Sequence, residues 1–503
     1  MLSLHNTLSG KKEEFHSITL GKVKLYSCGP TVYNFAHIGN FRTFLTSDLL
    51  TRVLKYTGYE VTKVMNITDV GHLTNDDEAD ADGEDKIAKK AKAENLDPFA
   101  IARKYEEAFM EDAEILRIEK ANFYPRATEF IQEQIDLAKT LIDEKFAYEV
   151  NGSVYFRTAK FEKYGQLSNN KLEDLQAGAR VEINSEKEDP LDFALWKKAD
   201  ENHLMQWESP WGKGFPGWHI ECSAMSRKLL GNHFDIHTGG EDNIFPHHEC
   251  EIAQNECSNG GKKSVNYWLH VKHLLVNGKK MSKSAGNFYT IRDLLEKGWK
   301  GNEIRLALLS AHYRSTLDFS MKSLEQARAS IARITEARRM CEAIDPAAPN
   351  DWSEPFREKF STALKDDFNV SDALAATFEL TSAILKLESE NSLDEATAAS
   401  ALDFFENDFE AIFDCFPAVD EEKREEIKKV ITPLLQERIE ARNNKDWQKS
   451  DEIRDDVAKK FNLELRDIVD REKGLVTEWK TKDGALFGVV DIERGTTWTN
   501  QQK

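Results

Sequence analysis

From Val23 to Ser27 apolar and β-branched residues read as a short strand, Cys28-Gly29-Pro30 breaks it, Phe41, Leu45, Leu49 and Val53 recur at helical spacing, and Val61 to Ile67 reads as a second strand. This order of strand, helix and strand predicts a nucleotide-binding parallel sheet. His37-Ile38-Gly39-Asn40 falls at the helix N-terminus, where unpaired backbone N–H groups favour an anion.

A chain of 503 residues, 40% hydrophobic and 31% charged, is too long for one core and predicts two to four globular domains. No apolar run is long enough to span a bilayer, and Met1 to Asn6 lacks the regions of a signal peptide, so a cytoplasmic location and no membrane partner are expected. Cys28, Cys222, Cys250, Cys257, Cys341 and Cys415 are too few and too scattered for a disulfide framework, and read as free thiols or metal ligands. The net charge of −20 argues against a nucleic-acid partner only at long range, because RNA binding is decided by local faces.

The sheet is expected to resume at Phe234-Asp235-Ile236 and Trp268 to Val276, with Lys280-Met281-Ser282-Lys283-Ser284 in the following loop. Attack of a carboxylate on the α-phosphorus of ATP builds charge on the phosphate oxygens and the departing pyrophosphate, where fixed cationic donors lower the barrier. His37 and Asn40 suit the first task, and the flexible point charges Lys280 and Lys283 the second. Alone, the second motif is an exposed basic loop and His37 a structural histidine. Together and in this order they resemble the signature motifs of class I aminoacyl-tRNA synthetases. Asn40 departs from the usual pattern, which has His there; Asn donates a hydrogen bond but carries no charge, shifting phosphate stabilisation toward His37 and the lysines.

Scattered cysteines are ordinarily buried thiols, but Cys28 after the first strand, Cys222 and the stretch Phe245 to Glu251 also offer a metal site. On a helix His247 shares a face with both Cys250 and Glu251, and either could complete a tetrahedral zinc centre. Ligand softness alone favours Cys250.

These residues narrow the resemblance to the cysteinyl-tRNA synthetases, over almost the whole stretch from Cys28 to Trp498. It implies an α/β fold: a Rossmann-like parallel-sheet catalytic domain (1–120 and 215–320) interrupted by an inserted connective domain (121–214). A helical bundle (321–430) and a small α+β anticodon-binding domain (431–503) follow. It also implies one Zn²⁺ per chain on Cys28, Cys222, His247 and Glu251, with Cys250 kept as the rival. Cysteine would be lined by Gly29, Thr68, Trp218 and His237. ATP, with Mg²⁺, would be held by Gly39, Gly239, Gly240, Asp242, Ser282 and Lys283. Within Glu440 to Asp451, Arg442, Trp447 and Asp451 would contact tRNA-Cys, exposed aromatic and Arg groups being suited to unstacked bases; core packing is the plainer account of the Trp. The family implies a monomer.

Zinc has a chemical rationale in such a pocket: serine and cysteine are near-isosteres that a plain pocket separates poorly, whereas a thiophilic ion prefers sulfur. Two other readings stay open, a ligase joining cysteine to an amino-sugar acceptor and a catalytically silent tRNA-binding relative. The segment from Arg442 to Asp451 weighs against the first, and Lys280, Lys283 and His37 against the second. The acidic run 75–85 fails as a calcium loop, since Lys89 stands where a bidentate Glu is needed. That run and the stretch 470–494 fall outside the resemblance.

Overall fold

The computed structural model describes residues 1–70, 86–170, 186–200, 203–282, 286–417, 421–461, 463–470, 474–481, 487–491 and 495–497. The acidic run 75–85, Lys283 and parts of 470–494 lie outside them. The chain forms two compact units, residues 1–320 with 363–370, and residues 321–362 with 371–503.

At the centre of the first unit, four parallel strands lie in the order Val265–Val271, Phe234–Gly240, Lys22–Ser27 and Glu60–Met65. The first strand in sequence is therefore interior, and its carboxyl end opens between two neighbours, the crevice where open α/β sheets hold ligands. The Lys22–Ser27 strand alternates outward lysines with buried Val23 and Leu25 before continuing into buried Tyr26 and Ser27, as a strand entering a core must.

The helix Ile38–Tyr56 crosses over with Phe41, Leu45, Leu49 and Val53 buried. Its buried face also carries charge. Asp48 Oδ2 accepts from Arg305 Nη2 at 2.6 Å and Arg52 Nε at 3.0 Å, and its Oδ1 accepts from the Glu119 backbone N–H at 2.8 Å. With every oxygen engaged, the desolvation of the carboxylate is offset.

The run expected as one strand from Trp268 to Val276 is two, Val265–Val271 and Leu274–Val276. Buried Arg42 explains the break: its Nη1 donates to the carbonyls of Lys272 and His273, and its Nη2 to those of His312 and Ser315, which turns the chain out of the sheet. Leu274–Val276 pairs instead with Lys279–Lys280 and Leu317–Phe319. The strand expected to reach Ile67 likewise stops at Met65, because the side chain of Asn66 accepts from the Gly29 backbone N–H at 2.9 Å.

Between the halves of the parallel sheet lies an antiparallel sheet of Ala147–Val150, Ser153–Phe156, Phe193–Lys198 and Gly214–Pro216. In the second unit the helices include Met321–Glu342, Val370–Ser389, Glu395–Phe404, Glu421–Asn443 and Trp447–Phe461. A four-stranded antiparallel sheet follows, Leu463–Asp470, Gly474–Thr481, Phe487–Asp491 and Gly495–Thr497. Its core joins Trp479 to Ile431, Leu435, Ile439 and Val457. Among the described residues no helix is long and apolar enough to cross a membrane.

Candidate active site and metal centre

The site forms where the strands Lys22–Ser27 and Phe234–Gly240 end. Cys28 is held beside Thr238 by its backbone N–H, which donates to the Thr238 carbonyl at 3.0 Å. Gly29 must be glycine for contact reasons: a Cβ there would lie 1.8 Å from the Asn66 carbonyl oxygen. Asn66 Nδ2 donates to Thr68 Oγ1 at 3.1 Å, and Thr68 donates to Glu221 Oε2 at 2.9 Å, so Gly29 and Thr68 belong to one buried hydrogen-bond chain.

Cys28, His247, His248 and Glu251 offer ligand atoms that all lie within 4.8 Å of one another, every one buried. Cys222, from the helix Trp218–Leu230, hydrogen-bonds both Cys28 and His247 and so borders the same point. Glu251 Oε1 lies 3.2 Å from His247 Nε2 and 3.9 Å from His248 Nε2, yet makes no well-directed hydrogen bond. Thiols, imidazoles and a carboxylate converging on a buried oxygen without such a bond form a donor set that fits a thiophilic cation.

Cys250 is not among them. The stretch Ile244–His248 is kinked rather than a regular helical turn, with Phe245 in an extended conformation (φ −138°, ψ 133°), and the helix proper begins at Glu249. Glu251 thus faces His247, while Cys250 Sγ lies 3.3 Å from Tyr164 Oη on the other side.

Electrostatics divides the donors. Burial opposes charge on Glu251, but His237 and His247 outweigh it and hold the carboxyl down at about 2. Burial likewise works against charge on His247, yet Cys222 and the close Glu251 carboxylate push its pKa up to about 10. For Cys222 the hydrogen bond to Cys28 and burial both raise the pKa well above the usual thiol range.

His237 and Trp218 form the walls. Trp218 stacks on His247 at 4.3 Å between ring centroids, and His237 stacks on Trp268 at 4.6 Å. His248 was not singled out from the sequence, although its spacing of three from Glu251 was a usable signal. Its Nε2 is 3.2 Å from Cys28 Sγ, and its Nδ1 is 2.7 Å from His270 Nε2. Gly239 gives this ring room, since a Cβ there would lie 2.6 Å from His248 Cε1.

The two loops expected to hold the nucleotide approach each other. His37 caps its helix reciprocally with Asn40: the Asn40 N–H donates to His37 Nδ1 at 3.2 Å, and the His37 N–H donates to Asn40 Oδ1 at 3.0 Å. Asn40 is therefore engaged in shaping the helix terminus. A Cβ on Gly39 would lie 3.0 Å from Met281 Cε, and the Ile38 N–H donates to the Tyr289 carbonyl at 3.0 Å, so the lysine loop passes directly over the helix start. Ser282 is positioned by its N–H, which donates to Asn287 Oδ1 at 2.9 Å, and Lys280 is exposed. Asp242 follows Gly240 on a short turn whose Glu241 pairs with Lys272 at 2.7 Å.

In the second unit, the Arg442 guanidinium lies 5.5 Å from the centroid of Trp447, which is 55% exposed, and Asp451 pairs with Arg454 at 3.0 Å. Trp447 is not core; among the described residues of this unit the buried tryptophan is Trp479.

Residues 14–329 match the tRNA synthetases class I (C) catalytic domain, and residues 359–410 match the DALR domain. The chain is 42% identical to the cysteine-tRNA ligase of Chlorobium chlorochromatii, covering 97% of this chain and 99% of that protein. It is 43% identical to a cysteine-tRNA ligase of Thermus thermophilus, covering 90% of this chain and 95% of the relative. The chain belongs to the cysteine-tRNA ligases. Within this class I family the fold similarity reaches further. A methionyl-tRNA synthetase of Mycobacterium tuberculosis in complex with methionyl-adenylate has a TM-score of 0.52 at 13% identity, covering 78% of this chain and 90% of the other. An Agrobacterium radiobacter LeuRS in ternary complex with tRNA and LeuAMS has a TM-score of 0.56 at 11% identity, covering 80% and 85%.

Proposed function

We propose that this chain activates cysteine with ATP and Mg²⁺ and transfers it to the 3′-terminal adenosine of tRNA-Cys. The observation that carries the reading is the buried sulfur, imidazole and carboxylate cluster at the crevice of a parallel sheet whose neighbouring loops bring Gly39 and Met281 together.

A cysteine carboxylate oxygen attacks the α-phosphorus, the bond to the bridging oxygen breaks, and pyrophosphate leaves. The ribose hydroxyl of the terminal adenosine then attacks the carbonyl carbon of the adenylate, losing its proton as AMP departs. No side chain acts as nucleophile, and positioning and fixed charge lower both barriers. His37 at the helix terminus, with Gly39 beneath, receives the α-phosphate. Lys280, Ser282 and Lys283 hold the β and γ phosphates, and Gly239, Gly240 and Asp242 the adenosine side. Cys28, Cys222, His247 and Glu251 would hold one Zn²⁺. When bound, the ion supplies a Lewis acid that prefers a thiol to a hydroxyl and so separates cysteine from serine. Gly29, Thr68, Trp218 and His237 line the amino acid. Arg442, Trp447 and Asp451 read the anticodon loop by stacking and edge contacts. The protein acts as a cytoplasmic monomer.

Pyrophosphate exchange with a panel of amino acids, followed by charging of tRNA-Cys, tests the reading. Exchange dependent on cysteine and not serine, with charging of that tRNA, is expected; activation of a different amino acid would overturn it.

A further inference from the structure

On a chain of net charge −20, the helix Lys86–Glu94 carries four lysines and one glutamate in nine residues. We propose that its lysine face receives the sugar-phosphate backbone of the tRNA acceptor arm at the mouth of the site, an inference that rests on the tRNA-charging function proposed above.

The helix is anchored by Ile87 and Ala91, both buried. At 3.6 residues per turn, Lys89 lies directly opposite that anchor, with Lys92 to one side and Lys86 and Lys90 to the other, so the cations form a continuous arc covering the outer half of the helix. Lys89 and Lys92 are exposed. Glu94, the one acidic residue, is engaged by Lys90 at 3.1 Å, Lys104 at 2.6 Å and the Tyr105 hydroxyl at 2.7 Å, which leaves its charge compensated.

Two aromatic contacts fasten this helix to the active-site rim. Lys86 Nζ lies 5.4 Å from the centroid of Tyr33, in the loop running from Gly29 to His37. Lys90 Nζ lies 5.7 Å from the centroid of Tyr105, whose edge meets Phe35 of the same loop at 5.1 Å. Phe35 in turn lies 5.2 Å from the guanidinium of Arg292, on the helix after the lysine loop. A backbone laid along the arc is therefore led toward the loop that carries both the cysteine-side glycine and His37.

Lys86 and Lys90 make the rim contacts while Lys89 and Lys92 are exposed, which suits an extended polyanion better than a triphosphate consumed at His37. From Lys86 to Lys92 the helix rises about 9 Å, enough to meet two or three phosphates of one strand. Lysine, a mobile point charge, suits contact that follows the backbone without reading sequence.

The test uses the full chain with Lys89→Gln and Lys92→Gln together, neither residue having a part in activation. Cysteine-dependent pyrophosphate exchange, which needs no tRNA, is expected to stay within about twofold. The KM for tRNA-Cys is expected to rise roughly tenfold at low salt, and the slope of its logarithm against log salt to fall by about 1.5 to 2, one counterion per lysine. The charge-conserving Lys89→Arg, Lys92→Arg pair is expected to restore both. An unchanged tRNA KM and slope would overturn the proposal, as would loss of exchange in step with charging. If the unsubstituted chain charges no tRNA, the functional reading itself fails and this face falls with it; a charging enzyme with an unaltered slope sinks the face alone.

Discussion

Glu251 Oε2 lies 3.1 Å from His237 Nε2, joining a wall of the proposed cysteine pocket to the floor where the sulfur and imidazole donors converge. The same carboxylate turns its other oxygen toward His247, held ionised by the two rings against the cost of burial.

That geometry separates two neighbouring residues. Glu251→Gln keeps the shape but removes the charge, and is expected to lower zinc affinity roughly 100-fold or more. Cys250→Ala, which truncates a side chain facing Tyr164, is expected to leave metal content at one per chain and cost only stability. Metal analysis after dialysis against a chelator checks both, and the reverse pattern would make Cys250 the ligand.

The position of the lysine loop over the start of the helix at Ile38 predicts a kinetic split. Lys283→Ala is expected to slow adenylate formation roughly 10²- to 10³-fold, since it removes a charge proposed to stabilise the departing pyrophosphate. The cysteine KM in pyrophosphate exchange is expected to move less than about twofold. Equal loss in both would contradict the assignment.

Lys63 sits fully buried on the Glu60–Met65 strand, and its Nζ has no hydrogen-bond partner. Burial lowers its pKa from 10.5 to about 8, with Asp48 and Glu119 acting in the opposite direction. A depressed basic group is a net cost: below pH 8 the folded chain bears the full penalty, and between 8 and 10.5 the unfolded chain binds the extra proton, so stability rises with pH across that window. The shift corresponds to about 3 kcal/mol. Lys63→Met is expected to raise the melting temperature at pH 7, with the difference from the parent shrinking toward pH 10.5; chemical denaturation across this range checks it.

Asp48 gives the opposite sign. Burial would raise its pKa, but Arg305 and Arg52 hold it below 3.8, so its contribution is present above pH 3.8 and is lost as pH falls through the lower folded value. Asp48→Asn, which strands two buried guanidinium groups, is expected to cost roughly 3 to 5 kcal/mol at neutral pH. Urea titrations at pH 7 and pH 3 measure the gap, which is expected to narrow at the lower pH.

Much of this architecture was legible along the chain because its signals are local. Apolar spacing from Phe41 to Val53 and the break at Cys28-Gly29-Pro30 mark a helix and a strand end without reference to any distant residue. Other features depend on contacts far apart in sequence. The interruption at Lys272 and His273 is set by Arg42, some 230 positions away, and no pattern near residue 272 records it. Cys250 and Glu251 were equivalent by helical spacing, and only tertiary contacts beyond the kink at Phe245, Tyr164 against Cys250 and His247 against Glu251, separate them. His248 escaped notice for a related reason: its place beside Cys28 depends on the ring of His270 behind it and on the room left by Gly239.

The most direct test is metal content and X-ray absorption at the zinc edge, recorded for the purified full chain alone, with cysteine and with serine. The account predicts one zinc per chain with two sulfur neighbours, a third sulfur on adding cysteine, and no change with serine. A metal-free protein that still activates cysteine in preference to serine would contradict it.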